Sequence, residues 1–333
     1  MRFSIMLSSG EPVDNIVNYA KLAEKCGFYA CFVSKDIFKR DAWVILTAIA
    51  AQTKEIRLGT SVVNPFSVSP AEIAMSAATL DEYSHGRLLL GISCGIRALS
   101  KIGFERKKPV TATKEAVQII RSLLAGKRTP FQGEIFKGWS DDAQLLFKPV
   151  RENIPIYIAA NKPKMLQLIG QLGDGGIALT YPPENFGNVL RNVYDGAKIA
   201  GRDPSTIDVI AHHFGFIDKE EKECWKNVEE IFGTNFWKPY TEKLATFGLV
   251  PSDLVPFESS SEQPSAEEER NLVSKKIMSM GMAGTPEDWI KHIEKLHRSF
   301  NKEPRHIMVW LRQRNTAEGI KILGEEVIPY FRQ

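Results

Sequence analysis

The chain has 333 residues, 43% of them hydrophobic, which is enough for two average domains or for one large α/β barrel. Its 43 basic and 40 acidic side chains leave a formal charge of only +3, so we expect a small-molecule substrate and neither a nucleic-acid partner nor an anionic membrane. The N-terminal apolar run is too short for a signal peptide and no apolar run approaches about 18 residues, which predicts a cytoplasmic protein.

Short apolar runs alternate with longer amphipathic stretches along the chain. The predicted strands are, in chain order, Arg2–Met6, Phe28–Val33, Ile56–Val62, Leu88–Ile92, Ile154–Ala159, Gly176–Leu179, Ile207–Phe214 and Arg305–Trp310. The predicted helices are Val13–Cys26, Ala42–Gln52, Pro70–Tyr83, Thr113–Ala125, Lys164–Leu172 and Asn185–Ala200. This rhythm is typical of a parallel sheet with crossover helices. Eight units favour a closed (β/α)₈ barrel, and no Gly-x-Gly-x-x-Gly follows the first strand to favour the doubly wound alternative.

Two segments exceed a minimal barrel. Residues 126–153 hold Gly133 between short alternating runs, which predicts a hairpin excursion after the fourth strand. Residues 219–283 form a long insertion that opens with the helical pattern KEEKECWKNVEEIF and becomes rich in Ser, Pro and Glu. That composition is typical of a solvated loop, although an insertion after a barrel strand can also cover the substrate. We therefore predict an α/β protein with one TIM-barrel domain over residues 1–333 and two insertions.

The cysteines give no sign of a metal centre or a disulfide. Cys26, Cys31, Cys94 and Cys224 show neither Cys-x-x-Cys pairing nor the spacing of zinc ligands. Three of them lie in apolar surroundings, where a buried free thiol is the common case. The prediction is therefore that the protein holds no metal.

Polar residues follow the predicted strands, and in a barrel such positions meet at one mouth. They are Ser8-Ser9, Ser34-Lys35-Asp36, Asn64, Ser93-Cys94-Gly95, Asn161-Lys162, Thr180-Tyr181, His213 and Trp310 with Arg312. The Lys35-Asp36 pair can be a surface ion pair or part of a site. His212 and His213 alternate across a strand, so only one of them points into the barrel. We take Tyr181, His213 and Trp310 as candidate substrate contacts, although these aromatic rings can also simply pack.

Nine short motifs occur in one order along the chain. They are Arg40-Asp41, LTAIAAQT at 46–53, IRLGTSVVN at 56–64, GRLLLG at 86–91, KKP followed by TKEAVQIIRSLLAGK, IPIYIAAN, AGRDP, GTPEDW and LGEEVIPYF. In this order they resemble the bacterial-luciferase-like superfamily, in the branch that uses the deazaflavin coenzyme F420, and within it methylenetetrahydromethanopterin reductase. The likeness runs from Met1 to Gln333 and is weakest at 219–283.

The resemblance implies where the cofactor lies. It implies a cis peptide bond between Ser61 and Val62 behind the deazaflavin ring, with Asn64 bonded to the ring's carbonyl and imino edge. It implies that the cofactor phosphate lies where a helix begins after the fifth strand, since free N–H groups of a first helical turn bind phosphate. The predicted cofactor contacts are thus Ser61, Val62, Asn64, Ser93, Cys94, Gly95, Asn161, Lys162, Pro163, Lys164 and Met165.

Three polar positions depart from the relatives that reduce a pterin. Those relatives carry an acid where this chain has Met6, Asp-His where it has Lys35-Asp36, and an acid where it has Ile96. Hydride transfer needs mainly orientation, with an acid or base nearby for the accompanying proton. We predict that Asp36 handles this proton and that Lys35 positions the cofactor or stabilises the charge of its ring.

The resemblance implies an F420-dependent oxidoreductase that moves hydride between the deazaflavin and a small organic substrate. The first alternative keeps the fold and is a luciferase-like monooxygenase that uses the flavin FMN and dioxygen. The second is a degenerate barrel that binds a ligand without catalysis, as the three changed positions would allow. Relatives associate through barrel helices, so we also expect a homo-oligomer.

Overall fold

Strands and helices alternate through the part of the chain that the computed structural model describes, which is residues 1–95, 99–179, 185–232 and 281–332. The strands are β1 Arg2–Leu7, β2 Ala30–Val33, β3 Arg57–Thr60, β4 Leu88–Ile92, β5 Ile156–Ala160, β6 Gly175–Leu179, β7 Asp208–Ile217, β8 Gly281–Gly284 and β9 His306–Leu311. The α-helices in these ranges are α1 Val13–Lys25, α2 Ala42–Gln52, α3 Pro70–Tyr83, α4 Pro109–Leu124, α5 Pro163–Leu172, α6 Phe186–Ile199, α7 Glu221–Phe232, α8 Pro286–Ser299 and α9 Thr316–Ile322.

Eight of these strands close a parallel barrel. Each of β1 to β7 pairs with the next along the chain, and β9 pairs with both β7 and β1, which completes the ring. The fold is therefore a (β/α)₈ TIM barrel, as predicted. The ninth strand, β8, was not predicted. Among the described strands it pairs only with the end of β7, from Phe214 to Ile217, beyond the last β6 partner at His212.

Each barrel strand buries both of its faces. Alternate residues fill the interior, which contains Met6, Ala30, Phe32, Leu89, Tyr157, Ile177, Ile210 and Met308. The intervening residues pack against the helices in a second, larger core, as Ile5 and Val309 do. Double burial explains why these strands are nearly continuous apolar runs in the sequence.

The helix boundaries follow local capping. Asp41 caps α2 by accepting hydrogen bonds from the N–H groups of Trp43 and Val44. Ser69 and Glu72 form a capping box at α3, and both helices have the predicted bounds. Helix α4 begins at Pro109, earlier than predicted, because proline is tolerated in a first helical turn.

The excursion at 126–153 forms no regular strand, but its chain turns back around Gly133 and its two arms are joined by backbone hydrogen bonds. The N–H groups of Thr129, Gly133 and Trp139 donate to the carbonyls of Ala143, Phe136 and Phe131, respectively. The carboxylate of Glu115 on α4 also accepts three backbone N–H groups of the loop, from residues 134–136. A Cβ at Gly133 would lie 2.4 Å from that carboxylate, which explains the glycine.

The long insertion opens as predicted with a helix, α7, and ends in β8. Its residues 233–280 lie outside the described part of the chain. Among the helices that the structure describes, none has the length and the hydropathy that would carry it across a membrane. All four cysteines are free thiols.

Candidate active site

Hydrogen bonds join the C-terminal tips of the first three strands into one rim. The hydroxyl oxygens of Ser9, after β1, and Ser34, after β2, lie 3.0 Å apart, and the Ser9 N–H donates to the Ser34 hydroxyl. The Ser61 N–H, after β3, donates to the carbonyl of Val33 at 2.8 Å. These tips therefore share one edge of the barrel, as the eight-strand assignment predicted.

The rim continues to the fourth and fifth strands. The Ser93 N–H, after β4, donates to the carbonyl of Val63 at 3.0 Å. The Ser93 hydroxyl donates to the carbonyl of Ala159 on β5 at 2.9 Å. Five consecutive strand ends are thus held together at the mouth.

The floor below this rim is apolar. Met6, only 8% exposed, and Phe32 belong to the interior cluster, and Val62 packs against it. The Ser61 hydroxyl lies 3.9 Å from the Met6 sulfur. The peptide bond between Ser61 and Val62 is cis, which confirms that expectation.

Asn64 and Cys94 are held by neighbouring protein groups. The Asn64 amide donates to the carbonyl of Gly95 at 3.2 Å and accepts the N–H of Phe66. The Cys94 sulfur lies 3.2 Å from the hydroxyl of Thr113 on α4, and burial raises the pKa of this thiol to about 11. Their contacts to a cofactor stay predictions, and the Cys94 thiol lies on the helix side of the rim.

Lys35 and Asp36 do not pair with each other. Lys35, with 23% of its side chain exposed, forms its ion pair with Asp41. Burial alone would raise the pKa of the Asp41 carboxyl, but the hydrogen bond and charge of Lys35 and two backbone N–H groups hold this pKa below its ordinary value. Asp36, with 51% of its side chain exposed, pairs with Lys39 at 2.7 Å. Lys35 is therefore the more enclosed of the two, and the proton-handling role of Asp36 stays a prediction.

Helix α5 begins at the predicted phosphate loop. Lys162 has extended backbone angles and precedes Pro163 in the first turn, and no side chain caps this helix. Residues 161–164 are exposed, whereas Met165 is half-buried. A solvent-facing helix N-terminus flanked by Lys162 and Lys164 is suited to an anion.

The structure places His213 away from the mouth, which corrects the expectation for this residue. On β7, Ile210 lies in the interior, so the alternation sends His212 inward and His213 toward the helices. His213 is fully buried, and its pKa falls well below 6.5, first because of burial and then because of His292 on α8 and His212. Of the two histidines, His212 is the one on the substrate side.

Of the other two predicted substrate contacts, Trp310 and Tyr181, the structure describes only Trp310. Trp310 lies on the interior side of β9, is half-buried and packs its ring 5.4 Å from that of Phe214. Tyr181, with Thr180, lies outside the described residues. Sequence reasoning missed Phe214 and His212 as substrate-side residues, because counting in steps of two along β7 needs an interior residue such as Ile210 to start from, and only the structure identifies one.

A buried network that sequence reasoning also missed lies at the opposite, N-terminal end of the barrel. His306 bonds Ser4 at 2.7 Å and Asp208 at 2.8 Å, in the order of a nucleophile, base and acid. Ser4 and His306 are both fully buried, and Asp208 also accepts from Tyr157 and pairs with Arg2. No substrate can reach this serine, so we assign the network to stability.

Two surface depressions of about 850 and 420 Å³ also lie at the N-terminal end, and Arg2 contributes to both. None of the strand tips described above lines either depression. We place the candidate site at the C-terminal mouth instead, because active sites of parallel barrels are built from the loops that follow the strands.

The chain has relatives of known function and fold. A family model described as luciferase-like monooxygenase matches residues 1–302. The chain is 38% identical to the 5,10-methylenetetrahydromethanopterin reductase of Methanolobus tindarius, over 66% of this chain and 67% of the relative. It is 26% identical to the F420-dependent glucose-6-phosphate dehydrogenase of Nakamurella multipartita, over 95% and 92%. The solved coenzyme F420-dependent tetrahydromethanopterin reductase of Methanopyrus kandleri superposes with a TM-score of 0.80 at 24% identity, over 99% of both chains, and supports the fold.

Proposed function

Because the chain belongs to the luciferase-like monooxygenase family, we propose that it is a coenzyme F420-dependent oxidoreductase that acts on a small organic substrate at the C-terminal mouth. The observation that carries the proposal is the continuous rim of five strand ends, which terminates at the uncapped, lysine-flanked start of α5. The relatives named for F420 support the choice of this cofactor.

The residues at the mouth fit such a cofactor. The first turn of α5, with Lys162 and Lys164, would hold its phosphate. The Ser61–Val62 segment and Asn64 would contact the ring, and Met6 gives the floor an apolar surface that excludes water. When bound, the deazaflavin donates or accepts the hydride. The protein's part is to hold ring and substrate in one orientation.

We assign the transfer of the proton that accompanies the hydride to residues at the tip of β2. In this proposal Asp36 takes the proton as a carboxylate or gives it as a carboxylic acid, and the Lys35 ammonium would balance negative charge on the ring. The pairing of Lys35 with Asp41 ties that ammonium to the start of α2 and so fixes its position.

Direct titration tests the cofactor assignment. The purified protein is titrated with F420 and, separately, with FMN, while the mass and absorbance of any small molecule that copurifies are recorded. We expect F420 to bind and to exchange hydride with a substrate. Preferential binding of FMN would overturn the assignment in favour of the monooxygenase alternative, and F420 binding without turnover of any substrate would support the degenerate barrel.

We also propose that residues 1–333 form one domain and that the protein works in the cytoplasm as a homo-oligomer. Helix α2 has no charged side chain, and its Val44 is 66% exposed. On the adjacent α3, Met75 is 46% exposed. The uncharged exposed face of α2, with an exposed methionine on the neighbouring helix, is suited to contact with a second copy. Light scattering should therefore give a native mass that is a multiple of the chain mass, and Val44→Glu should lower this measured mass. A monomeric native protein would contradict the proposal.

A further inference from the structure

The smaller depression at the N-terminal end, of about 420 Å³, brings together cations from distant parts of the chain. Its lining includes Arg2 at the start of β1, Arg57 at the start of β3 and Arg332 beyond the last helix. In the barrel β2 lies between β1 and β3, and Tyr29, directly before β2, also lines the depression. Three guanidinium groups therefore share one concave surface at the end of the barrel opposite the candidate active site.

The Tyr29 ring holds two of these groups by their faces. The guanidinium carbons of Arg2 and Arg57 lie 5.1 Å and 5.4 Å from the ring centroid. Such stacking uses the flat face of a guanidinium and leaves its in-plane N–H groups for hydrogen bonds. Arg2 uses one of them for its ion pair with Asp208 at 2.8 Å. The half-buried side chain of Arg57 has no hydrogen-bond or ion-pair partner within the described residues, so its N–H fork is directed at no protein acceptor there.

The backbone holds the third guanidinium. Arg332 donates to the carbonyl of Gly27, which has a φ of 76° in the left-handed region. A Cβ at position 27 would lie 2.6 Å from a nitrogen of this guanidinium, so the glycine leaves the space that Arg332 occupies. The turn after α1 therefore positions Arg332 at the depression.

Two glutamates also line the depression, but neither of them pairs with these arginines. The Glu24 carboxylate accepts the N–H groups of residues 54–56. Burial alone would raise the pKa of this carboxyl, but these three bonds and the charge of the buried Arg87 hold it below the ordinary value. The side chain of Glu55 is exposed, and within the described residues no ion pair joins it to Arg57.

The charges at the depression therefore favour an anionic ligand. Asp208 compensates Arg2, and Arg87 compensates Glu24. Arg57 and Arg332 then oppose only the exposed Glu55 among the lining residues that the structure describes. Their mutual repulsion would be relieved by a bound group of negative charge.

The chemistry of the two guanidiniums specifies that group. A guanidinium fork matches the oxygens of a carboxylate or a phosphate, and a phosphate carries the larger charge, about −1.5 to −2 at pH 7. The depression has the size of a small-molecule site, since such sites span about 300–1,000 Å³. We propose that Arg57 and Arg332 bind the phosphate group of a small organic molecule in this depression. Because the depression lies opposite the mouth, this ligand is distinct from the proposed cofactor and substrate.

Calorimetric titration with inorganic phosphate tests the proposal. The ionic strength is kept constant with sodium chloride, because salt screens exposed charges. Arg57→Gln should weaken phosphate binding at least about tenfold, since it removes the unpaired fork. Arg332→Gln should weaken it as well. The matched control is Arg128→Gln, an exposed arginine after α4, which should leave the affinity unchanged.

A second titration separates this site from the start of α5, where a phosphate is also proposed to bind. In the double variant Lys162→Glu, Lys164→Glu, phosphate binding that depends on Arg57 should persist. Its loss in that variant, an affinity that Arg57→Gln leaves unchanged, or no binding at millimolar phosphate would overturn the proposal. Acetate binding as tight as that of phosphate would overturn the choice of a phosphate group. Arg57→Lys keeps the charge but loses the fork, so it should retain part of the affinity and serves if the glutamine variant does not fold.

Discussion

Two ion pairs at the second strand tip give neighbouring residues different surroundings. Lys35 is held by Asp41, which also caps α2, whereas Asp36 is held by Lys39 within an exposed turn. The pair is therefore not a unit, although the two residues are adjacent in the sequence. The sequence could not show which carboxylate pairs with the lysine, because Asp41 lies six positions further on.

The first prediction separates catalysis from ion pairing at Asp36. Asp36→Asn keeps size and hydrogen bonding but removes proton transfer, so turnover should fall by about 10²–10⁴ with F420 affinity little changed. Lys39→Gln is the control, since it removes the same ion pair and keeps the carboxylate. Lys35→Met should instead weaken F420 binding first. Steady-state kinetics and F420 titration measure these effects. Equal turnover in all three variants would show that Lys35 and Asp36 form surface ion pairs without a catalytic role.

At the scale of single elements, β7 shows where sequence reasoning stopped. Its ten residues, Asp208–Ile217, are almost all buried, so burial alone does not tell the two faces apart. The run was predicted correctly as a strand, but the choice of His213 over His212 needed the parity that the neighbouring strands fix. Counting from an interior residue was possible only once Ile210 was known to be one.

The second prediction follows from the burial of His213 behind that strand. Its pKa lies well below 6.5 in the folded protein, so the unfolded chain takes up a proton as the pH falls through about 6.5 while the folded chain does not. The free energy of unfolding should therefore be unaffected above that pH and should decrease below it, by up to about 1.4 kcal/mol per pH unit. Urea unfolding between about pH 7.5 and pH 5.5 measures this slope.

Two variants assign the slope to its residue. His213→Asn should flatten the dependence of stability on pH, whatever its effect on stability itself. His85→Asn should leave the slope unchanged, because His85 is exposed and its positive φ of 55° is one that Asn tolerates. If the slope were unchanged in His213→Asn, another group, such as His292, would be responsible for the pH dependence of stability.

The third prediction concerns the start of α5. Lys162 and Lys164 are exposed, so reversing their charge should leave thermal stability nearly unchanged and weaken F420 binding by repelling the phosphate. Lys54→Glu is the control, since this exposed lysine lies in the loop before β3, at the N-terminal end of the barrel. Fluorescence titration measures the affinities. Equal F420 affinity in Lys162→Glu, Lys164→Glu and the control would move the phosphate elsewhere.

At the scale of the whole molecule, the alternation of strands and helices could be predicted from the sequence, whereas contacts between residues far apart in the chain could not. Eight apolar runs with helices between them were enough to predict the barrel, because closure follows from the number of units. Strand β8 was missed because Gly281–Gly284 is short and finds its partner only on the overhang of β7. The network around Asp208 was missed because its members come from β1, β5, β7 and β9, which only the closed barrel brings together.

The two ends of the barrel therefore have different tasks. The C-terminal mouth holds the rim of strand ends and the lysine-flanked start of α5, where we propose that the cofactor binds. The N-terminal end carries a network that joins strands from opposite ends of the sequence, since Ser4 and His306 are 302 positions apart. Changes at the two ends should consequently affect different measurements.

The fourth prediction tests this division at Asp208. Burial alone would raise the pKa of its carboxyl, but His306, Arg2 and Tyr157 hold it below 3.8, so this carboxylate stabilises the fold above about pH 4 and the stabilisation is lost as the pH falls further. Asp208→Asn removes the negative charge and one of the two oxygens that His306, Tyr157 and Arg2 share, and it should lower the free energy of unfolding by about 3 kcal/mol at neutral pH. This loss of unfolding free energy relative to the native protein should shrink below about pH 4.

The folded variant should bind F420 normally, the opposite pattern to Lys162→Glu, because the two groups lie at opposite ends of the barrel. If stability were unchanged, Asp208 would not stabilise the closed barrel. A stable variant with weakened F420 binding would show that the two ends are coupled.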